Sequence, residues 1–158
     1  MKAGSMNVNI LNECFGFNSK KTSRIISRYY DKKISESGVR YSQFLMLVCY
    51  MNNINNENEN ENGSIVDKYG VDRTTFYRNN LLLLKKGLIE IFNPISKKYV
   101  ITIKGREYIE NVFPLWKEAQ EEIMHLVGEE FHASYISSMN LLSNLAKMLF
   151  VKNFKDIN

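Results

Sequence analysis

Two cysteines among 158 residues, Cys14 and Cys49, are too few for a disulfide framework. A reducing cytoplasm is the compartment this scarcity implies. No apolar run is long enough to cross a bilayer, and none at the start reads as a secretory segment, so no membrane partner is expected. There is no glycine-rich phosphate loop, no Ser/His/Asp or Cys/His constellation, and no pair of carboxylates in a plausible cleft. Enzymatic chemistry is therefore not expected, and no cofactor is called for. Residues 52–62 interleave asparagine with glutamate, but the fixed offsets and glycine of a calcium loop are missing. That stretch reads as a solvated low-complexity loop. The two histidines, His125 and His132, bracket Glu129 at i, i+4, i+7. Gly128 interrupts the helix that would align them, so no metal site is expected.

What remains is an ordinary soluble composition, 44% hydrophobic and 24% charged, enough for one domain with a real core. The net charge of +4 permits a nucleic-acid partner without demonstrating one. Its distribution says more. From Asp72 to Arg106 the cations are Arg73, Arg78, Lys85, Lys86, Lys97, Lys98, Lys104 and Arg106, against only Asp72 and Glu90.

The stretch that organises the chain lies inside that basic window, at residues 72–86. Asp72 can cap a helix by accepting its orphan amides, and Gly87 can end it in the left-handed conformation. Phe76, Leu83 and Leu84 share one face, with a gap of one turn. Arg73, Thr74, Tyr77 and Arg78 fall largely elsewhere. The spacing predicts a helix with an apolar back and long hydrogen-bonding side chains at its N-terminal front, as a helix that reads DNA requires. A solvated surface helix has the same pattern, so the neighbours decide. A short helix over 64–69, a turn at Gly70-Val71 and then this capped helix form a helix-turn-helix pattern. Behind it, residues 88–92 and 99–103 are β-branched and aromatic and flank Asn93-Pro94-Ile95-Ser96, a hairpin with Lys97 and Lys98 at its tip. A hairpin in that place is a wing.

Residues 7–37 read as one long helix ended by Gly38, and 41–52 as a second, apolar helix buried on most sides. A long helix runs from Thr102 to about Val127, bent at Pro114, and a last one covers 129–152. The outer helices carry more apolar surface than so small a central unit covers, which calls for a second copy. The fold class is mainly α with a small β-hairpin. It is a winged helix-turn-helix unit at 38–106, with 7–37 and 107–152 as dimerisation helices in one intertwined domain. Residues 1–6 are read as a tag or disordered leader without a role.

Five segments resemble the MarR family of bacterial winged-helix regulators. They are Arg24-Ile25-Ile26-Ser27-Arg28-Tyr29-Tyr30-Asp31, Gly38-Val39-Arg40-Tyr41-Ser42-Gln43-Phe44, Gly70-Val71-Asp72-Arg73-Thr74-Thr75-Phe76-Tyr77-Arg78-Asn79, Leu84-Lys85-Lys86-Gly87-Leu88-Ile89, and Phe113-Pro114-Leu115-Trp116-Lys117-Glu118-Ala119-Gln120. Each is unspecific alone; the order is what carries the resemblance. It implies a homodimer on a pseudo-palindromic operator, usually a repressor, released by a small-molecule effector or by thiol oxidation. Carried over by position, Thr74, Thr75, Tyr77 and Arg78 would face the major groove of double-stranded DNA, with Arg73 at the entry and Ser64 and Asn79 beside them. Lys97 and Lys98 would be the wing contacts. Ile10, Leu11, Phe15, Trp116, Leu142, Leu145 and Leu149 would lie in the dimer interface. Cys14 reads first as a buried dimer-interface cysteine, with a redox residue that has Tyr30 and Tyr41 nearby as the alternative; Cys49 reads as core. The tip lacks the arginines of the family's wings, which favours a phosphate contact over minor-groove readout. Short wing and acidic loop also support another reading: a winged-helix dimer that works through protein contacts, with weak or no specific DNA binding.

Overall fold

The computed structural model describes residues 10–53, 66, 70–93, 95 and 98–155, and of Ile10, Asn53, Asn93 and residues 150–155 only the backbone. In chain order the elements are α1 (Ile10–Glu13), α2 (Phe15–Lys33), a 3-10 turn (Ser35–Ser37), α3 (Tyr41–Asn53), α4 (Arg73–Lys85), strands β1 (Ile89–Asn93) and β2 (Lys98–Ile101), α5 (Ile103–Val127) and α6 (Glu129–Lys155). The chain is mainly helical with one antiparallel hairpin, as expected. It divides into two compact units at Trp116/Lys117, inside α5.

The single helix expected over 7–37 is not continuous. Residues 7–9 lie outside the described residues, and the chain breaks at Cys14, whose ψ of 115° is extended. The cause is local. The Asn18 side-chain amide lies 3.2, 2.9 and 3.0 Å from the carbonyl oxygens of Leu11, Asn12 and Cys14. The Leu11 and Asn12 carbonyls, which an unbroken helix would bond through its backbone, are thus engaged by a side chain, while that of Cys14 also accepts the Asn18 backbone amide at 3.0 Å. At the far end α2 stops at Lys33, and the 3-10 turn leads to Gly38, at φ +78°.

The first unit holds the core. Phe44, Met46, Leu47 and Tyr50 of α3 meet Phe76 and Leu83 of α4, Ile89 and Ile101 of the hairpin, and Ile109 and Val112 of α5. Full burial of each large side chain stabilises by about 1.5–3 kcal/mol. α3 is less enclosed than its composition implies, because Leu45 remains exposed.

Two devices position α4. On its N-terminal side Gly70 takes φ +64°, and the Val71 amide donates to the Val66 carbonyl at 3.2 Å. Of the short helix expected over 64–69, Val66 is helical and the rest lies outside the described residues. On its C-terminal side Gly87, at φ +67°, donates to the Leu84 carbonyl at 2.9 Å, and Leu88 donates to that of Leu83 at 3.0 Å. This pair of bonds is a Schellman cap, and it drops Leu88 into the core beside Leu83.

The hairpin follows at once. Ile89 pairs with Ile101, Glu90 with Val100 and Ile91 with Tyr99; then Asn93 pairs with Lys98, so Phe92 is the extra residue of a bulge. Thr102 closes the motif. Its hydroxyl donates to the Gly87 carbonyl at 2.8 Å and accepts the Gly105 amide at 3.0 Å, capping α5. Ile103, expected at the end of the second strand, is the first residue of α5. That helix continues through Pro114. In the second unit Gly128, at φ +82°, separates the end of α5 from α6.

Candidate nucleic-acid interface

The interface begins at the cap of α4. Asp72 is extended, and its Oδ1 accepts the Thr75 amide at 2.9 Å. The Thr75 hydroxyl and amide, with a smaller contribution from Arg78, hold the Asp72 carboxyl below its ordinary range. Thr75 is half-buried and turned to this cap. Arg73, Thr74, Tyr77 and Arg78 project from the same two turns and are exposed. A stripe of one acid, two arginines, a hydroxyl and a phenol therefore lies at the positive end of a helix dipole. Such a surface can donate to phosphates and to base edges.

The buried stripe of α4 holds that face in place, and it corrects one expectation. Phe76, Asn79, Asn80 and Leu83 are buried at i, i+3, i+4, i+7. Asn79, expected to face DNA, is only 4% exposed and belongs to the back of the helix. Asn80 is fully buried, and its Oδ1 accepts the Tyr50 hydroxyl of α3 at 2.8 Å. The side-chain nitrogens of both asparagines have no partner among the described residues.

An aromatic group that the residue spacing did not predict ties the helix to the wing. The Tyr99 ring on β2 stands edge-on to Phe76 at 6.3 Å and lies 6.4 Å from Tyr50. Phe76 in turn meets Tyr77 edge-on at 5.6 Å. Burial pushes the Tyr99 phenol up, and neighbouring Tyr77 pushes the same way. The alternation of Tyr99 and Ile101 along β2 was the available signal, since one face of a hairpin must pack.

At the wing tip Lys98 is half-buried, with its Nζ 5.4 Å from the centre of the Phe92 ring. Phe92 and Ile95 are 70% and 96% exposed, so the described residues of the tip present apolar surface beside Lys98. Ser64 and Lys97 lie outside the described residues.

No protein-family model and no curated protein matches this chain. Solved structures do. The transcriptional regulator MosR of M. tuberculosis is 24% identical, with a TM-score of 0.71 over 85% of this chain and 98% of that one. A MarR-family transcriptional regulator from Rhodococcus sp. RHA1 is 14% identical, with a TM-score of 0.67 over 89% and 98%. The fold is that of the MarR-family regulators. CouR from Rhodococcus jostii RHA1, solved bound to p-coumaroyl-CoA, is 15% identical, with a TM-score of 0.67 over 84% and 94%.

Within this MarR-type fold the remaining expected residues fall as follows. Leu11 and Phe15 are exposed, Phe15 at 76%, and so are Leu145 and Leu149; Leu142 is half-exposed. Ile10 is helical and its side chain is not described. Trp116, expected in a dimer interface, is half-buried in its own chain, with ring centres 6.4 Å from Phe44 and 5.4 Å from Phe113.

Cys14 is exposed at the N-cap of α2, and Cys49 is buried in the core. Tyr30 and Tyr41 stack at 4.4 Å with ring planes 10° apart. Burial pushes the Tyr30 phenol up to about 12, and Tyr41 adds to the effect. Burial also pushes Tyr41 up. The Trp116 indole N–H nearby, outside hydrogen-bond geometry, partly offsets that. One chain does not bring Cys14 to these tyrosines, because sixteen positions of helix α2 separate it from Tyr30, roughly 24 Å. His132 Nε2 lies 3.1 Å from Gln120 Nε2, and among the described residues no group of three or more His, Cys, Asp or Glu could hold a metal. No helix of the described residues is long and apolar enough to cross a membrane.

Proposed function

We propose that this chain is a cytoplasmic transcriptional regulator and not an enzyme. It binds a pseudo-palindromic operator as a homodimer, usually as a repressor, and a small-molecule effector or oxidation of a thiol releases it. The observation that carries this reading is the exposed stripe of Arg73, Thr74, Tyr77 and Arg78 on a helix whose back is locked to the core and to a wing. The likeness to MosR, which has also been solved in complex with DNA, supports it. The proposed reading surface is Arg73, Thr74, Tyr77, Arg78 and Lys98, with Ser64 and Lys97 still expected beside them and Thr75 mainly engaged with the Asp72 cap.

The test is fluorescence anisotropy on DNA from upstream of the coding region, against a scrambled duplex, at low and physiological salt. Tighter binding to the native duplex that survives physiological salt is expected, with a steep salt slope from counterion release. Arg73→Ala or Arg78→Ala weakens it by about 1–3 kcal/mol if that side chain makes a bidentate base contact. If neither substitution alters operator affinity, this helix is not the reader.

The exposed Phe92 and Ile95 of the wing favour a second reading, in which the winged dimer acts through protein contacts. It expects no tight duplex at physiological salt and a partner protein that co-purifies and is lost on Phe92→Ser/Ile95→Ser.

A further inference from the structure

Helix α2 carries six cations, Lys20, Lys21, Arg24, Arg28, Lys32 and Lys33, against one acid, Asp31. That is a net charge of +5 on one helix, in a chain whose whole net charge is +4. Lys20, Arg24, Arg28 and Lys32 stand at i, i+4, i+8 and i+12, with Lys21 beside them. At 3.6 residues per turn these five fall within roughly 120° of the circumference and along roughly 18 Å of the axis. All five are exposed. The other side of the helix packs inward: Tyr30 is buried and stacks on Tyr41, and Thr22, Ile26 and Tyr29 are half-buried.

The chain does not neutralise this face from within. Asp31 is half-buried, and its Oδ1 accepts the Tyr41 amide at 2.6 Å, capping α3. Among the described residues no carboxylate pairs with any of the five cations. Lys33 is different: it is half-buried, with its Nζ 6.0 Å from the centre of the Tyr29 ring. The helix dipole favours Lys32, in the last turn, but Lys20, Arg24 and Arg28 lie outside that turn. Like charges at i, i+4 repel and weaken a helix. Elsewhere the chain places opposite charges at that interval, as in the Lys117–Glu121 pair at 3.5 Å. A polyanion laid along α2 would turn the repulsion into attraction.

We propose that this face of α2 grips the phosphate backbone of double-stranded DNA without reading its sequence. Each strand of a duplex carries a phosphate about every 3.4 Å of axis, so a stripe roughly 18 Å long runs beside roughly five phosphates, one for each cation. The two central guanidiniums hold phosphate oxygens in parallel pairs of bonds, and the lysines add charge without fixing direction. The regular interval favours duplex over an acidic protein, whose charges follow its own sequence. The stripe is separate from the reading surface. Helix α2 leads through the 3-10 turn to Gly38, where a Cβ would stand 3.8 Å from Lys86 Nζ. Lys86 follows Arg73 by 13 positions, roughly 20 Å along α4. The stripe therefore engages a further stretch of duplex, beside the one that α4 faces. Its use in regulation rests on the DNA-binding reading; its grip on phosphate does not.

The test is fluorescence anisotropy of the full-length protein on a scrambled duplex across a salt series, native against Lys20→Gln/Arg24→Gln/Arg28→Gln/Lys32→Gln. All four positions are exposed, so circular dichroism should show the helicity retained. The variant is expected to bind tenfold or more weaker at low salt, with a slope of log K against log salt shallower by about two or more, since fewer counterions are released. The charge-preserving Lys20→Arg/Lys32→Arg should bind as the native protein does. The preference for upstream over scrambled duplex should be the same in the native protein and the quadruple variant, whereas Arg73→Ala/Arg78→Ala should lose it. Unchanged affinity and slope in the quadruple variant overturn the proposal. If that variant misfolds, Arg24→Gln/Arg28→Gln and Lys20→Gln/Lys32→Gln carry the test, each with roughly half the change in slope. Labelled polyglutamate stands in for an acidic protein: if it binds as tightly as duplex and is lost in the quadruple variant, the assignment to DNA is overturned. Equal binding of upstream and scrambled duplex through the stripe defeats the operator reading and leaves this surface standing. A preference for upstream duplex with no effect of the four substitutions defeats this surface alone.

Discussion

At the scale of single residues, the bond from Tyr50 to Asn80 is the sharpest test of how α4 is held. Both side chains are buried, and the asparagine oxygen has the phenol as its partner at 2.8 Å. Tyr50→Phe removes the donor, changes little volume and leaves a buried carbonyl unsatisfied. It should destabilise by about 1–3 kcal/mol in urea unfolding at fixed protein concentration. An effect near zero would mean that water replaces the phenol. Asp72 gives a prediction in pH. Its folded pKa is depressed, so its contribution is complete above the unfolded carboxyl value, near 4, and is lost as pH falls through the lower folded value. The excess Tm of the native protein over Asp72→Ala at neutral pH should therefore shrink as pH falls below about 4. The Asp72 cap was legible in sequence because a cap is local chemistry. Asn79 was misread because it is polar: the one-turn gap between Phe76 and Leu83 holds Asn79 and Asn80, so spacing alone placed them on the buried stripe and residue type argued the other way.

At the scale of elements, the junction of helix, hairpin and helix depends on Gly105. A Cβ there would collide with the Leu88 carbonyl oxygen and stand 2.7 Å from Ile101 Cγ1. Backbone cannot give as a flexible side chain does. Gly105→Ala would gain about 1 kcal/mol in helix propensity, yet overpacking should outweigh that. A net loss of about 1–3 kcal/mol is expected in urea unfolding, with a weaker hairpin seen as faster amide exchange at Ile89 and Ile101. An unchanged or stabilised protein would show that Thr102 alone holds the junction. The hairpin and the helix-turn-helix were legible because Gly70 and Gly87 sit where a left-handed turn is needed, and because the hydrophobic period changes at Leu88. The break at Cys14 was not. It depends on one side chain, Asn18, folding back on three carbonyls, and no periodicity reports such a competition.

At the scale of the whole molecule, the question is what covers the apolar side chains that one chain leaves bare. Phe131, Ile136, Leu145 and Leu149 of α6 are exposed, Leu149 at 65%, and on the first unit Leu11 and Phe15 are exposed as well. An 18.5 kDa chain that kept these faces in water would be unusual, because large apolar patches mark interaction surfaces. In the proposed reading a second copy covers them: a twofold axis would join like faces and present two α4 helices to two half-sites. Leu145 and Leu149 are exposed and lie one turn apart on α6, so Leu145→Asp/Leu149→Asp places two carboxylates on one face of that helix. Sedimentation should find the native protein dimeric at micromolar concentration and the double variant monomeric. The native Tm should also rise with protein concentration, as mass action requires, and that of the variant should not. Operator affinity should fall steeply in the variant, although Arg73, Thr74, Tyr77 and Arg78 are intact, since each monomer then binds one half-site alone. A native protein that sediments as a monomer would remove the dimer from the proposal, and with it the palindromic operator. A dimeric double variant would move the interface off these two residues and onto Leu11, Phe15 and the remaining apolar residues of α6.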